Sequence, residues 1–223
     1  MRYEALFLDF YGTLVCEDDD VIAKVVKRIS TASRQCPEPK EVASFWWATL
    51  RSLFETSFLD TYQTQRQLES QSLEAVLKHF DCPLQTDDMA FDLFEYWCKP
   101  DIFSDTKTFL AKNPLPICIV SNIDRKDIQK AILHHDFSFP MLVTSEDAKS
   151  YKPRTEMFFM ALESMGLSPA QVLHIGDSMS SDIAGANNCG IDSFWLNRKG
   201  RPLPPDFSPT YCGTSLLDVL KFL

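Results

Sequence analysis

The spacing of hydrophobic positions changes twice along this chain. Ala5 to Phe10 is a short apolar run interrupted by Asp9 and followed by Gly12. That is the pattern of a buried strand delivering a carboxylate to a tight turn. From about Asp18 to Lys99 the spacing is helical, with no convincing strand. Val21, Val25 and Ile29 mark one helix, and Val42, Phe45, Trp46, Leu50 and Leu53 a second. Leu73, Val76, Leu77 and Phe80 mark a third, and a fourth runs around Met89 to Trp97 behind Thr86 as its N-cap. Beyond Pro100 strand and helix alternate. Leu115–Val120, Met141–Thr144, Val172–Ile175 and Ile191–Leu196 read as strands. Asp124–His135, Thr155–Met165 (ending at Gly166), Ser180–Asn188 and Leu216–Leu223 read as helices.

Such alternation demands a parallel sheet with right-handed crossovers and helices on both faces. Ligands of these sheets sit at the carboxyl ends of the strands. The chain is therefore expected to be an α/β core, residues 1–15 and 100–223, interrupted after its first strand by a helical insert at residues 16–99. An insert of about 80 residues is too long for a simple loop, and its position beside the end of the first strand suits it to cover a site there.

Composition narrows the classes. The 223 residues are 45% hydrophobic and 24% charged, an ordinary globular balance. Twenty-two basic against 31 acidic side chains leave a formal charge of −9, which repels nucleic-acid backbones and anionic lipid. The basic run Arg198, Lys199 and Arg201 reads as a solvated loop. Seven cysteines, an odd number with no CxxC pair, point to reduced thiols in the cytoplasm. The N-terminus, with Glu4 and Asp9 in its apolar run, does not read as a signal peptide. No apolar stretch approaches the roughly 20 residues of a membrane-spanning helix. The expected partner is a small-molecule substrate, and the pattern specifies no oligomer.

Four polar clusters close predicted strands: Asp9-Phe10-Tyr11-Gly12-Thr13-Leu14, Ser121-Asn122, Lys152-Pro153, and Gly176-Asp177-Ser178 with Asp182. Singly, each has a plain explanation. Ser121 and Asn122 suit a helix cap, Lys152 a surface loop, and Asp182 a first-turn helix charge. Together and in order they form a chemical set. A carboxylate can attack an electrophile and form a covalent intermediate. A serine hydroxyl and backbone N–H groups can hold its anionic oxygens, a lysine can neutralise charge, and further carboxylates can bind a hard divalent cation.

With these motifs, DxYGTL and GDSxxxD above all, the chain resembles the haloacid dehalogenase (HAD) superfamily over essentially its whole length. The resemblance implies a Rossmann-like core with the insert as an all-helical cap, and hydrolase activity. It makes Asp9 the nucleophile, with Gly12, Thr13, Ser121 and Asn122 around the substrate and Lys152 orienting Asp9. It implies Mg²⁺ held by Asp9, the Tyr11 carbonyl, Asp177 and Asp182.

One position departs from the phosphatase pattern. Phosphatases of the superfamily carry a second aspartate two residues after the nucleophile, as general acid, and here that residue is Tyr11. DxYGTL resembles the 2-haloacid dehalogenase branch, whose halide leaving group needs no proton. That branch works without metal and lacks the first acid of GDSxxxD, whereas Asp177 is present here. Like charges ~4 Å apart repel by about 4 kcal/mol at an effective dielectric of ~20, so three converging carboxylates beside one lysine require a proton or another cation. Losing a general acid costs ~10²–10⁴ in rate, which activated esters tolerate best. Tyr11 itself could donate a proton to the leaving group as a catalytic residue, but with an ordinary pKa of about 10 it is a poor base for the second step. A phosphonatase-like reading needs a Schiff-base lysine, and Lys24, Lys27, Lys40 and Lys78 all avoid the central part of the insert. The leading expectation is Mg²⁺-dependent, phosphatase-type hydrolysis of a small phosphorylated metabolite. Its rivals are metal-independent 2-haloacid dehalogenation and a weakened binding protein that keeps the fold. Within the insert, Arg51 and Arg66 are the arginines that could reach an anionic substrate, and one of Trp46 and Trp47 is expected in its core. His174 is expected to be packed and hydrogen-bonded.

Overall fold

The computed structural model describes residues 2–223. Six strands form one all-parallel sheet: β1 (Ala5–Leu8), β2 (Ile117–Ser121), β3 (Met141–Thr144), β4 (Val172–Gly176), β5 (Asp192–Leu196) and β6 (Tyr211–Gly213). Their order is β3-β2-β1-β4-β5-β6. Strands β1, β2 and β4 are buried throughout, which explains why they read as unbroken apolar runs rather than as alternation. Strand β1 is central and is the switch point: the chain first builds outward to β3 and then returns to lay β4, β5 and β6 on the other side. In such sheets that is where a ligand crevice forms.

The helices are α1 (Asp19–Ala32), α2 (Pro39–Thr56), α3 (Gln65–His79), α4 (Thr86–Cys98), α5 (Thr106–Lys112), α6 (Arg125–His134), α7 (Ser145–Ala148), α8 (Glu156–Met165), α9 (Ala184–Asn188) and α10 (Leu216–Val219). Two compact units result. One comprises residues 1–17, 101–122 and 137–223, and the other residues 18–100 and 123–136. In the sheet unit, Phe7, Val120, Val143, Met157 and Phe158 share one apolar core, with α8 packed on β2 and β3. In the helical unit, Val25, Ile29, Val42, Trp46, Leu73, Val76 and Leu93 form the other.

Helix α6 joins the helical unit, whereas the sequence reading placed residues 100–223 together. The reason is electrostatic. The Asp124 carboxylate accepts the Gln65 and Arg66 backbone N–H groups at 2.7 and 3.0 Å, capping α3. Asp127 then takes two hydrogen bonds from the Arg66 guanidinium, at 2.6 and 2.7 Å. Arg66 is therefore committed inside the unit, against the expectation that it could reach a substrate. Trp46 is buried and donates to Ser72 Oγ at 2.9 Å, while Trp47 is exposed with Arg51 over its ring.

Several elements differ from expectation. Thr86 opens α4 rather than capping it, and Gln85 is the cap residue. The stretch expected as one helix over Ser180–Asn188 is a π-turn at Met179–Ile183 leading into α9. The last helix stops at Val219. Helix α5 and the three-residue edge strand β6 lack any usable periodicity and escape a pattern reading. No helix is long and apolar enough to cross a membrane among the described residues.

Candidate active site

The site grows from the carboxyl ends of β1, β2 and β4. Leu8 pairs with Ile119 on one side and Ile175 on the other, so the three strands end level. Asp9 follows β1 directly, its N–H bonded to the Ile175 carbonyl at 2.9 Å. Ser121 closes β2 and Gly176 closes β4, followed by Asp177. Lys152 comes from the loop beyond α7 and reaches across. Its ammonium donates to Asp9 Oδ1 at 2.8 Å, Asp182 Oδ1 at 2.6 Å and the Val120 carbonyl at 2.8 Å. All three of its protons are thereby placed, and Asp9 keeps Oδ2 clear of the lysine.

Close packing makes this convergence possible. A Cβ on Gly176 would meet the Asp182 carboxyl carbon at 2.2 Å, and one on Gly12 would meet Asp177 Oδ1 at 2.6 Å. Gly12 also has φ +83°, which L side chains rarely adopt. In the π-turn, the N–H groups of both Asp182 and Ile183 bond to the Ser178 carbonyl, at 2.9 and 3.1 Å. Asp182 Oδ2 accepts the Ser178 N–H at 3.1 Å. Such local widenings of a helix recur at functional sites.

Asp9, Asp177 and Asp182 offer carboxylate oxygens that all lie within 4.8 Å of one another. Burial pushes the Asp9 carboxyl up to about 7, with Lys152 opposing and Asp182 adding. Burial and then the charges of Asp182 and Asp9 push Asp177 well above the usual carboxylate range. Burial also acts against ionised Asp182, but Lys152 and His174 outweigh it and hold its pKa below the ordinary value. The Lys152 ammonium stays protonated because Asp182 and Asp9 overcome its own burial. Burial and mutual repulsion thus push Asp9 and Asp177 toward their protonated forms, a cost that a bound cation would relieve. Three hard oxygen donors crowded within reach of one another suit Mg²⁺.

His174 is buried in β4 with Nε2 3.1 Å from Asp182 Oδ1. Burial lowers its pKa, so the ring is neutral and Nε2 carries the donated proton. Nδ1 is left without a hydrogen-bond partner among the described residues. The expectation of a packed, bonded histidine holds, and its bond orients Asp182.

The remaining predicted residues divide. Ser121 is nearly buried at the end of β2. Asn122 uses its side chain on the Lys152 backbone, accepting its N–H at 2.7 Å, and so fixes the lysine loop. Thr13 is fully buried; its carbonyl accepts from Arg198 at 2.9 Å, and its hydroxyl has no hydrogen-bond partner among the described residues. Tyr11 lies edge-on to Phe10, ring centroids 5.2 Å apart.

The loop after β5 is a correction. Arg198 is not solvated: it forms a two-point pair with Asp105 at 3.0 Å and lies 3.9 Å over Phe103. Arg201 brings its guanidinium to 3.6 Å from Asp177 Oδ2. Both follow the carboxyl end of a strand, the one signal that could have singled them out.

A haloacid dehalogenase-like hydrolase family model matches residues 3–190. Haloacid dehalogenase-like hydrolase domain-containing protein 3 of Danio rerio is 34% identical over 144 residues, 60% of this chain and 59% of that protein. The chain thus aligns with about three-fifths of that relative's length. The (S)-2-haloacid dehalogenase H-109 of Pseudomonas putida is 26% identical over 205 residues, 88% of this chain and 87% of that one. The fold matches the HAD-hydrolase YfnB of Bacillus subtilis, solved bound to magnesium, with a TM-score of 0.74 at 21% identity over 100% of this chain and 99% of that one. With that family model covering most of its length, and with Asp9, Lys152 and the acidic motifs gathered at the switch point of a parallel sheet, the chain belongs to the haloacid dehalogenase-like hydrolases.

Proposed function

We propose that this hydrolase is a Mg²⁺-dependent phosphatase-type enzyme acting on a small phosphorylated metabolite through Asp9. The observation that carries the reading is the trio Asp9, Asp177 and Asp182, within 4.8 Å and facing one buried lysine. The dehalogenase pattern lacks the first acid of the GDSxxxD motif, and a dispensable carboxylate here would raise the repulsion for nothing.

Asp9 Oδ2, in its ionised form, attacks the phosphorus while Lys152 holds Oδ1 and favours that form against burial. The phosphorus–oxygen bond to the leaving group breaks, and the phosphoryl group resides on Asp9. Water then attacks that phosphorus, releasing inorganic phosphate and restoring the carboxylate. The Ser121 hydroxyl donates to a non-bridging oxygen. Asp9, Asp177 and Asp182, with the Tyr11 carbonyl, would hold Mg²⁺, which supplies positive charge to the phosphoryl oxygens. His174 and the Ser178 N–H fix the Asp182 carboxylate for that task. With Tyr11 where phosphatases carry their acid, weakly basic leaving groups such as acyl phosphates and activated esters are favoured.

Tyr11 and the long match to the Pseudomonas putida dehalogenase favour a second reading. In it Asp9 attacks a carbon, expels halide without a proton, and is released by water at the acyl carbon. A fold retained only for binding would turn over nothing through Asp9. The deciding experiment is hydrolysis of an activated phosphate ester by the purified protein with Mg²⁺, with EDTA, and with Asp9→Asn. Turnover that needs Mg²⁺ and Asp9 supports the phosphatase reading. Turnover of 2-halo acids unaffected by EDTA, with none of the ester, overturns it for the second.

A further inference from the structure

We propose that Arg201 is a built-in counter-cation for Asp177 that competes with the divalent ion and so sets the affinity of the metal site. The inference rests on the metal reading above and concerns a residue outside the four motifs.

Three observations place Arg201 there by construction rather than by chance. Its backbone is gripped from both sides by one nearly buried side chain: Asn197 Oδ1 accepts the Arg201 N–H at 2.8 Å, and Asn197 Nδ2 donates to the Arg201 carbonyl at 2.8 Å. The loop between them turns at Gly200, whose φ of +61° suits glycine. Next to Asn197, Arg198 anchors the loop, joining the Thr13 carbonyl to Asp105, which also accepts Ser215 Oγ at 2.7 Å and the Leu216 N–H at 2.9 Å. A rigid foot thus carries a half-exposed guanidinium to 3.6 Å from the Asp177 carboxylate.

The partner is fixed too. Trp195, buried in β5, donates its indole N–H to the Asp177 carbonyl at 3.0 Å, and Gly12 packs against the carboxylate. Asp177 is therefore presented with little freedom to Arg201 on its open side. Lys152 bonds Asp9 and Asp182 but not Asp177, so the third carboxylate would have no cation of its own without Arg201. Charges meeting on one carboxylate exclude each other: a guanidinium attracted to Asp177 repels a divalent ion seated on it. Because Arg201 is half exposed, solvent screens this competition and the side chain can swing away, so the effect is moderate.

The test is a Mg²⁺ titration of the full chain followed by thermal melting at constant ionic strength. It compares wild type, Arg201→Gln and Arg201→Lys, because an ion that binds only the folded state stabilises it by RT ln(1 + [L]/Kd), so the concentration at which the melting temperature begins to climb reports Kd. Arg201→Gln should lower the fitted Mg²⁺ Kd about three- to tenfold, and Arg201→Lys should stay within about twofold of wild type. Equal or weaker Mg²⁺ binding by Arg201→Gln, with binding by wild type intact, overturns the inference and leaves the metal reading standing. A Mg²⁺ response in Arg201→Gln alone supports it. The absence of any response in all three proteins overturns the metal site itself, and the inference with it.

Discussion

In the helical unit, buried Asp127 meets one guanidinium that answers it atom for atom, two nitrogens to two oxygens at 2.6 and 2.7 Å. In the sheet unit, one buried ammonium faces three carboxylates and bonds only two of them. Both clusters are desolvated, so both cost stability to assemble. The first matches Asp127 to Arg66 and ties α6 to α3. The second crowds more carboxylates than cations, and Asp9 and Asp177 are pushed toward their protonated forms. That crowding is what a hard cation would relieve.

The comparison is broken most severely at Asp9. Asp9→Asn should lower turnover about 10³-fold or more, since it removes the attacking oxygen. It should not lower the melting temperature of the metal-free protein, because it also removes one of the crowded charges. A variant that loses activity only in step with its fold would place Asp9 in the architecture instead. Lys152→Met has the opposite signature. It strips the only buried cation from three carboxylates and should destabilise the fold by about 3–5 kcal/mol, read from the midpoint of urea unfolding.

Much of this arrangement is legible in the sequence, and the reason is local. Asp9, Ser121 and Asp177 each end or directly follow an apolar run, so strand periodicity alone delivers them to one edge of a parallel sheet. Asp182 is legible because its distance from Gly176 is fixed within one turn. What pattern reading misses is set by contacts between distant segments. Arg198 looks like a loop cation until Asp105 and Thr13, 93 and 185 residues away, close around it. Arg66 looks available until Asp127, 61 positions on, claims it. Asn122 sits in the right motif, yet its side chain holds the Lys152 backbone, 30 residues away. Strand β6 is three residues long and lies at the edge, too short for any period to register.

A third test sharpens the comparison through pH. Glu69 in α3 is buried in the helical unit, and burial, with the Asp18 charge adding, pushes its carboxyl up to about 8 from an ordinary 4.5. A group raised on folding favours the folded state fully below its unfolded pKa, and that contribution is lost as pH rises through the folded one. Between about pH 4.5 and 8 the protein should therefore lose stability as pH rises. Glu69→Gln should remove this share and gain about 3 kcal/mol over wild type near pH 7, and nothing near pH 4. Chemical denaturation at both pH values measures it, and a pH-independent difference would mean the gain is packing rather than charge.

The smallest effect tests the matched pair itself. Arg66 is about a third exposed while Asp127 is nearly buried, so solvent shares the work of the pair. Arg66→Met keeps an unbranched apolar stem beside the Phe94 ring, over which the guanidinium sits at 4.3 Å, but leaves Asp127 without its cation. The expected loss is about 1–2 kcal/mol, well below that of Lys152→Met, because water can reach the vacated side. Arg66→Lys should recover only part of it, since a point charge cannot match two oxygens at once. Adding Asp127→Leu to Arg66→Met should restore most of the stability, because the charge and its partner leave together. The matching pair in the sheet unit, Lys152→Met with Asp9→Asn, should restore much less, because Asp182 and Asp177 still face each other there. If both double variants recovered equally, the two clusters would be alike in kind, and the crowding around Asp9 would no longer argue for a cation.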